Sequence, residues 1–135
     1  YDGEALHHYN NVVDEHHIVP PGVHSVSNAT LNTAWPKARF AKEVLQTAIT
    51  AETVDTTDLI SLLANEQIAP DETLPDTGVG IHLERALSAA FMKLPNYGTR
   101  CSTAITFQQN GTIQLLERTY EQGQLAFDTA YEIKS

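Results

Sequence analysis

The sequence predicts an α+β fold in which antiparallel sheet is packed with helices. Three observations carry that prediction. Apolar residues recur at helical spacing through the middle of the chain, they alternate with a period of two in its last third, and Asn110-Gly111 sits between two of the alternating runs. At 135 residues the chain is one domain's length and can remove roughly two thirds of its unfolded surface from water, so a core forms without staples.

Each element follows in order. Residues 4–10 and 16–19 read as two short strands joined through the polar Asn10, Asn11, Asp14 and Glu15, and Pro20-Pro21-Gly22 ends that unit. Tyr1-Asp2-Gly3-Glu4 reads as an Asp-Gly turn whose incoming strand would precede residue 1, and the chain opens without methionine; both predict a piece of a longer protein. Residues 23–27 form a short alternation that leads into a polar loop. Trp35-Pro36 opens a helix, because the missing N–H of proline costs nothing in a first turn, and Phe40, Ala41, Val44, Leu45 and Ala48 carry its apolar stripe to about Ile49. Asp55 or Thr56 caps a second helix with Leu59, Leu62 and Leu63 as its buried face. Residues 68–75 form an acidic, proline-bearing loop. Asp76 or Thr77 caps a third helix in which Val79, Leu83, Leu87, Ala90, Phe91 and Leu94 face inward until Pro95 stops it.

Thr103, Ile105 and Phe107 then alternate towards the Asn-Gly pair, residues 113–120 return, and a third strand after Gln122-Gly123 places Leu125, Phe127, Tyr131 and Ile133 on one face. A two-residue turn at 110–111 would set Ile105 opposite Leu116, Ala104 opposite Glu117 and Arg100 near Glu121. Apolar residues on both faces of the first two strands predict a sheet covered on each side.

Composition narrows the function. A formal net charge of -9 with eight scattered Lys and Arg offers no basic track for nucleic acid or an anionic membrane. One cysteine, Cys101, rules out an internal disulfide and fits a reducing compartment, so the predicted location is cytoplasmic. The apolar runs are far shorter than the roughly 20 residues needed to span a bilayer as a helix. The doublets His7-His8 and His16-His17 invite a metal reading. Neighbouring side chains on a strand point to opposite faces, however, so at most one histidine of each doublet reaches a common site, and no His-x-x-x-His helix or Cys-x-x-Cys completes a ligand set. No metal and no resident cofactor are predicted.

"SVSNATLNTAWPKA", "LPDTGVGIHLERALSAAF", "YGTRCSTAI" and "LLERTY", taken in that order, resemble the C-terminal half of the NRDE family, also called the transport and Golgi organisation protein 2 family. The family's Thr-Pro-Trp-Pro-Lys stands here as Thr33-Ala34-Trp35-Pro36-Lys37, and its N-terminal cysteine and Asn-Arg-Asp-Glu motif are absent from this chain. The resemblance implies one part of an αββα sandwich like that of N-terminal-nucleophile hydrolases, with residues 1–135 as a single unit of a longer domain. It also links the chain to haem trafficking and lipid homeostasis. In such hydrolases the first residue attacks an amide with its own amino group as base. Tyr1 is a poor acyl-transfer nucleophile and Cys101 has no evident base beside it in sequence, so the chain alone is predicted to be inactive.

The candidate site residues are Ser27, Asn28, Trp35, Lys37, Tyr97, Thr99, Arg100 and Ser102 for ligand binding, with Asn28, Arg85 and Arg100 as candidates for catalysis. Asn28 either donates its amide to an oxyanion or bonds its own turn. Arg100 either clasps an anionic group or pairs with Glu121. Trp35 floors a pocket or belongs to the core. Lys37 reads as a solvated first-turn residue, Glu84 and Arg85 as solvent-facing unless Arg85 turns into a cleft, and Ser102 as a strand residue. Two functions stay open: a binding protein whose apolar cleft takes haem or an acyl-bearing metabolite, and a cysteine-nucleophile amidohydrolase whose nucleophile lies outside the chain. Unpaired strand edges and an apolar sheet face predict self-association.

Overall fold

The computed structural model describes residues 1–50 and 54–134. Strands β1 (Leu6–Asn10) and β2 (Glu15–Val19) pair as a hairpin, and helices α1 (Pro36–Ala48), α2 (Thr56–Leu62) and α3 (Ile81–Leu87) follow, with a 3-10 turn at Asp71–Thr73. The two-residue strands β3 (Lys93–Leu94) and β4 (Tyr97–Gly98) make a small hairpin before β5 (Cys101–Phe107), β6 (Ile113–Glu121) and β7 (Gln124–Ile133) form an antiparallel meander. The α+β prediction holds, and so do the first hairpin, α1 and the order of the last three strands.

The core lies where α2 crosses β5 and β6. Asp55 caps α2 through a reciprocal capping box with Asp58, its side chain accepting from Asp58 N at 2.8 Å. Ile60 is fully buried against Ala104 and Leu116, with Leu59 beside it, a burial that contributes about 1.5–3 kcal/mol. The stripe Leu59, Leu62 and Leu63 predicts a different buried face. Those leucines line a cleft shared with α1, while the next face of the helix meets the sheet.

The meander's register is one residue away from the prediction. Ala104 stands opposite Leu116, Ile105 opposite Leu115 and Thr103 opposite Glu117. The turn is longer than two residues: Gln108 N donates to the Thr112 carbonyl at 2.9 Å and Gly111 N to the Gln108 carbonyl at 3.0 Å, with Gly111 at φ 83°. This is a three-residue loop closed by a left-handed glycine, and one extra residue shifts every cross-strand pair. Arg100 therefore meets Tyr120, whose N–H donates to the Arg100 carbonyl at 2.8 Å, in place of Glu121.

The same register sorts the faces. Ser102 and Ala104 point to the buried, helix-covered side, while Cys101, Thr103, Ile105 and Phe107 stand exposed on the other. Phe127, Tyr131 and Ile133 extend that open face and are each more than half exposed. Apart from the Tyr1 ring, 5.5 Å from Phe107, no aromatic ring among the described residues stacks on it. Among the described residues the sheet is covered by helix on one side only, and Leu116 lies on the face opposite Ile105 and Phe127.

Helix α3 is shorter than its apolar spacing predicts. Gly78 and Gly80, at φ 85° and 84°, fold the chain over before the helix begins at Ile81. After Leu87 tertiary hydrogen bonds take over: Ser88 Oγ accepts from Ala69 N at 2.9 Å and Phe91 N donates to the Asn65 carbonyl at 2.8 Å. Phe91 is buried as expected, whereas Val79 and Leu83 are nearly half exposed and Leu94 pairs with Tyr97 in the small hairpin that Pro95 and Asn96 turn.

Candidate functional site

The segment between β2 and α1 is tied together by Asn32. Its N–H donates to the Ser25 carbonyl at 2.8 Å, its Oδ1 accepts from Ser25 N at 3.1 Å and from Lys42 Nζ at 3.1 Å, and its Nδ2 lies 3.0 Å from His24 Nδ1. Asn32 sits at φ 62°, which Asn tolerates better than most residues. Held this way, residues 24–27 stand off from α1 and α2 and leave a cleft of about 550 Å³. Leu45, Leu59, Leu62 and Leu63 make its apolar walls, and Ser27, Lys37 and Lys42 supply polar groups. Mostly apolar walls with a few placed polar groups at this volume are the usual form of a small-molecule site. Burial pushes the Lys37 ammonium below the usual lysine range, and its Nζ donates to the Leu87 carbonyl at 3.1 Å. A ligand anion beside it would offset that burial cost.

Asn28, Trp35 and Lys37 meet around a smaller cavity of about 190 Å³, together with Glu84. Helical spacing predicts Glu84 on the solvent side; instead it is only 6% exposed. The glycine fold at 78–80 brings Thr77 back over the helix, so that Thr77 N and Oγ1 both donate to Glu84 Oε1, at 2.7 and 2.6 Å. The side chain of Asn28 is exposed and has no hydrogen-bond partner among the described residues. Trp35 is half-buried at the start of α1, a wall residue rather than a core one.

The remaining candidates lie elsewhere. Tyr97, Thr99 and Arg100 line a third cavity of about 650 Å³ around the β3–β4 hairpin, where Thr99 Oγ1 accepts from Met92 N at 3.0 Å. Arg100 is exposed and makes no ion pair among the described residues. Ser102 is buried opposite Arg118 on the helix-covered face of β5. Arg85 forms a bidentate pair with Asp71, its Nε donating to Asp71 Oδ1 at 2.6 Å, which raises the arginine and lowers the aspartate from their ordinary values. Ser27 and Lys37 thus share the large cleft, Asn28 and Trp35 sit with Lys37 at its smaller neighbour, and Tyr97, Thr99 and Arg100 form a separate group. Lys42 and Ser25 are additional lining residues that the sequence does not single out, and Glu84 is one it reads as solvent-facing. Lys42 lines the cleft from α1, beside Ala41 and Leu45, and its Nζ is tethered to the loop through Asn32 Oδ1.

The histidine doublets divide as strand alternation requires. His7 stacks on His16 with ring centroids 5.1 Å apart, its Nδ1 2.9 Å from His16 Nε2 and its Nε2 2.9 Å from Asp2 Oδ2, while His8 stacks on His17 at 6.3 Å across the other face. Backbone N–H groups of Ala5 and Glu4, and then His7, hold the Asp2 carboxyl well below the usual carboxylate range. Among the described residues no three His, Cys, Asp or Glu side chains are grouped so as to hold a metal ion. No helix among them is long and apolar enough to cross a membrane.

Helices and sheet together define an α+β domain with an apolar, lysine-bearing cleft. Residues 2–122 match the family model described as Transport and Golgi organisation 2, and the chain belongs to that family. It is similar to the Transport and Golgi organization protein 2 homolog of Homo sapiens, at 32% identity over 127 residues, and to the Transport and Golgi organization 2 homolog of Mus musculus, at 30% over 126. The homolog of Bos taurus is 28% identical over 130 residues. Each comparison covers 87% of this chain and 46% of the relative, so the chain spans about half the length of the curated relatives it matches.

Proposed function

We propose that the chain binds a small amphipathic molecule, an acyl-bearing metabolite or haem, in the cleft between α1, α2 and residues 24–27, and serves to traffic that molecule in the cytoplasm. The observation that supports this reading is the cleft itself: leucine walls enclose about 550 Å³ beside two lysines. The leucines would receive an alkyl body, and the ammonium groups of Lys37 and Lys42 an anionic head. An acyl ligand suits the lining better than haem, because His24, the histidine of the cleft, has one ring nitrogen against the Pro20 carbonyl and the other against Asn32. Titration with cis-parinaric acid, a fluorescent fatty acid, tests it. Saturable binding is expected, with loss in Leu62→Arg, whose charged head would occupy the apolar wall. Binding that survives Leu62→Arg unchanged would refute the reading.

A second reading is a cysteine-nucleophile amidohydrolase whose nucleophile lies outside this chain. It is favoured by the amide of Asn28, which has no hydrogen-bond partner among the described residues, beside Lys37 and the buried Glu84. A thiolate attacking an amide carbonyl there would form a thioester as the C–N bond breaks, the leaving amine taking the thiol proton back from the nucleophile residue's own amino group, with Asn28 donating to the oxyanion. Mass spectrometry of a relative-length protein after incubation with an acyl amide would show acylated cysteine, and its absence would count against this reading. We also propose that the open face of the β5–β7 sheet packs against a second sheet, as in the αββα sandwich, supplied in isolation by another copy of the chain.

A further inference from the structure

A cavity of about 240 Å³ lies between the β1–β2 hairpin and residues 24–31. Leu6, Val19, Val26 and Leu31 make most of its wall. Two polar atoms of lining residues, His8 Nδ1 and Ser25 Oγ, are shielded from solvent, and neither has a hydrogen-bond partner among the described residues. Folded proteins leave few such atoms unpaired, because each forfeits its bond to water without replacement. His24 also lines the cavity but is already committed. Its Nε2 donates to the Pro20 carbonyl at 2.9 Å, which leaves Nδ1 as the acceptor for Asn32 Nδ2. Two groups therefore remain, from two different elements, each able to donate one proton. Although the chain carries a net charge of -9, no Asp or Glu among the described residues lines this cavity.

We propose that this cavity binds the carboxylate of a short-chain aliphatic acid. One carboxylate presents enough lone pairs to accept from Ser25 Oγ–H and His8 Nδ1–H together, and its alkyl tail meets the aliphatic wall. An alcohol brings a single oxygen, and an ammonium would meet no carboxylate among the described residues of the wall. Asn32 fixes the Ser25 backbone at both its N–H and its carbonyl, so a turn of the side chain alone brings the hydroxyl to a ligand. The site shares His24, Ser25 and Val26 with the large cleft but contains none of Lys37, Leu45 and Leu62, so it stands apart from the acyl-cleft reading.

Methyl and amide NMR of the full chain titrated with butyrate, n-butanol and n-butylamine tests the proposal. Butyrate is expected to shift the methyl resonances of Leu6, Val26 and Leu31 saturably, and the other two probes are not. Ser25→Ala and His8→Phe should each weaken butyrate binding about tenfold, while Leu62→Arg leaves it unchanged. His8→Asn, whose amide can donate from near the position of Nδ1, should retain most of the affinity and separates a lost hydrogen bond from a disturbed hairpin. Equal binding of n-butanol, the absence of any saturable shift because water alone fills the cavity, or full affinity in a natively folded Ser25→Ala would overturn it.

Discussion

Glu84 shows what a single residue can conceal. In "LERAL" it looks like any charged residue on a helix face, and only the return of Thr77 over α3 makes it a buried acceptor of two hydrogen bonds. Replacing it with Ala leaves the Thr77 N–H and hydroxyl without that acceptor, and urea denaturation should register a loss of about 1–3 kcal/mol. Trp35, by contrast, is legible: tryptophan before proline marks a helix entrance, and the helix starts where the pair says. The paired aspartates set the acid limb of stability. Arg85 holds Asp71, and Arg118 holds Asp128, below the ordinary value of 3.8. A carboxylate lowered in the fold contributes stability above its unfolded value and loses it as pH falls through the folded one. Stability should therefore decline below about pH 4, and Arg118→Gln should shallow that decline in acid-titration melts. Because these groups are largely solvent-accessible, the change is expected to be small.

Elements were readable where one local signal decided them. The alternation of Thr103, Ile105 and Phe107 specifies a strand, and Asp55 specifies a cap, because both depend on near neighbours. Asp55→Ala should lower stability by about 1 kcal/mol through α2, which carries Ile60 onto the sheet; thermal melts measure it. The hairpin's register was not readable, since Asn-Gly serves two-residue and longer turns and the difference lies in bonds between Gln108 and Thr112. With Gly111 at φ 83°, Gly111→Val should cost about 1–2 kcal/mol, again by urea denaturation. Helix α3 departs from its pattern for a related reason. The spacing continues to Leu94, but the Phe91 N–H is claimed by the Asn65 carbonyl and the Ser88 hydroxyl by the Ala69 N–H, partners distant in sequence.

For the whole molecule, the α+β class follows from a change of period along the chain, yet the layer arrangement does not, because periodicity cannot say which apolar face receives a helix. The open face of Ile105, Phe127, Tyr131 and Ile133 is the result. Sedimentation at micromolar concentration should show self-association, and Phe127→Lys should shift the chain towards monomer; a compact monomer at all concentrations would contradict packing through this face. The cleft was half legible: Ser27 and Lys37 stand in the family-like blocks, whereas Lys42 and the leucines of α2 enter only through the tertiary placement of α1 and α2. Whether that cleft holds a ligand is decided most directly by isotope-filtered NMR of the chain with carbon-13-labelled decanoate. Binding in the cleft predicts nuclear Overhauser contacts from the alkyl chain to the methyl groups of Leu45, Leu59 and Leu62, with the carboxylate carbon shifted by Lys37 or Lys42. Contacts confined to Phe127, Tyr131 and Ile133 on the open sheet, or none at saturating ligand, would contradict it.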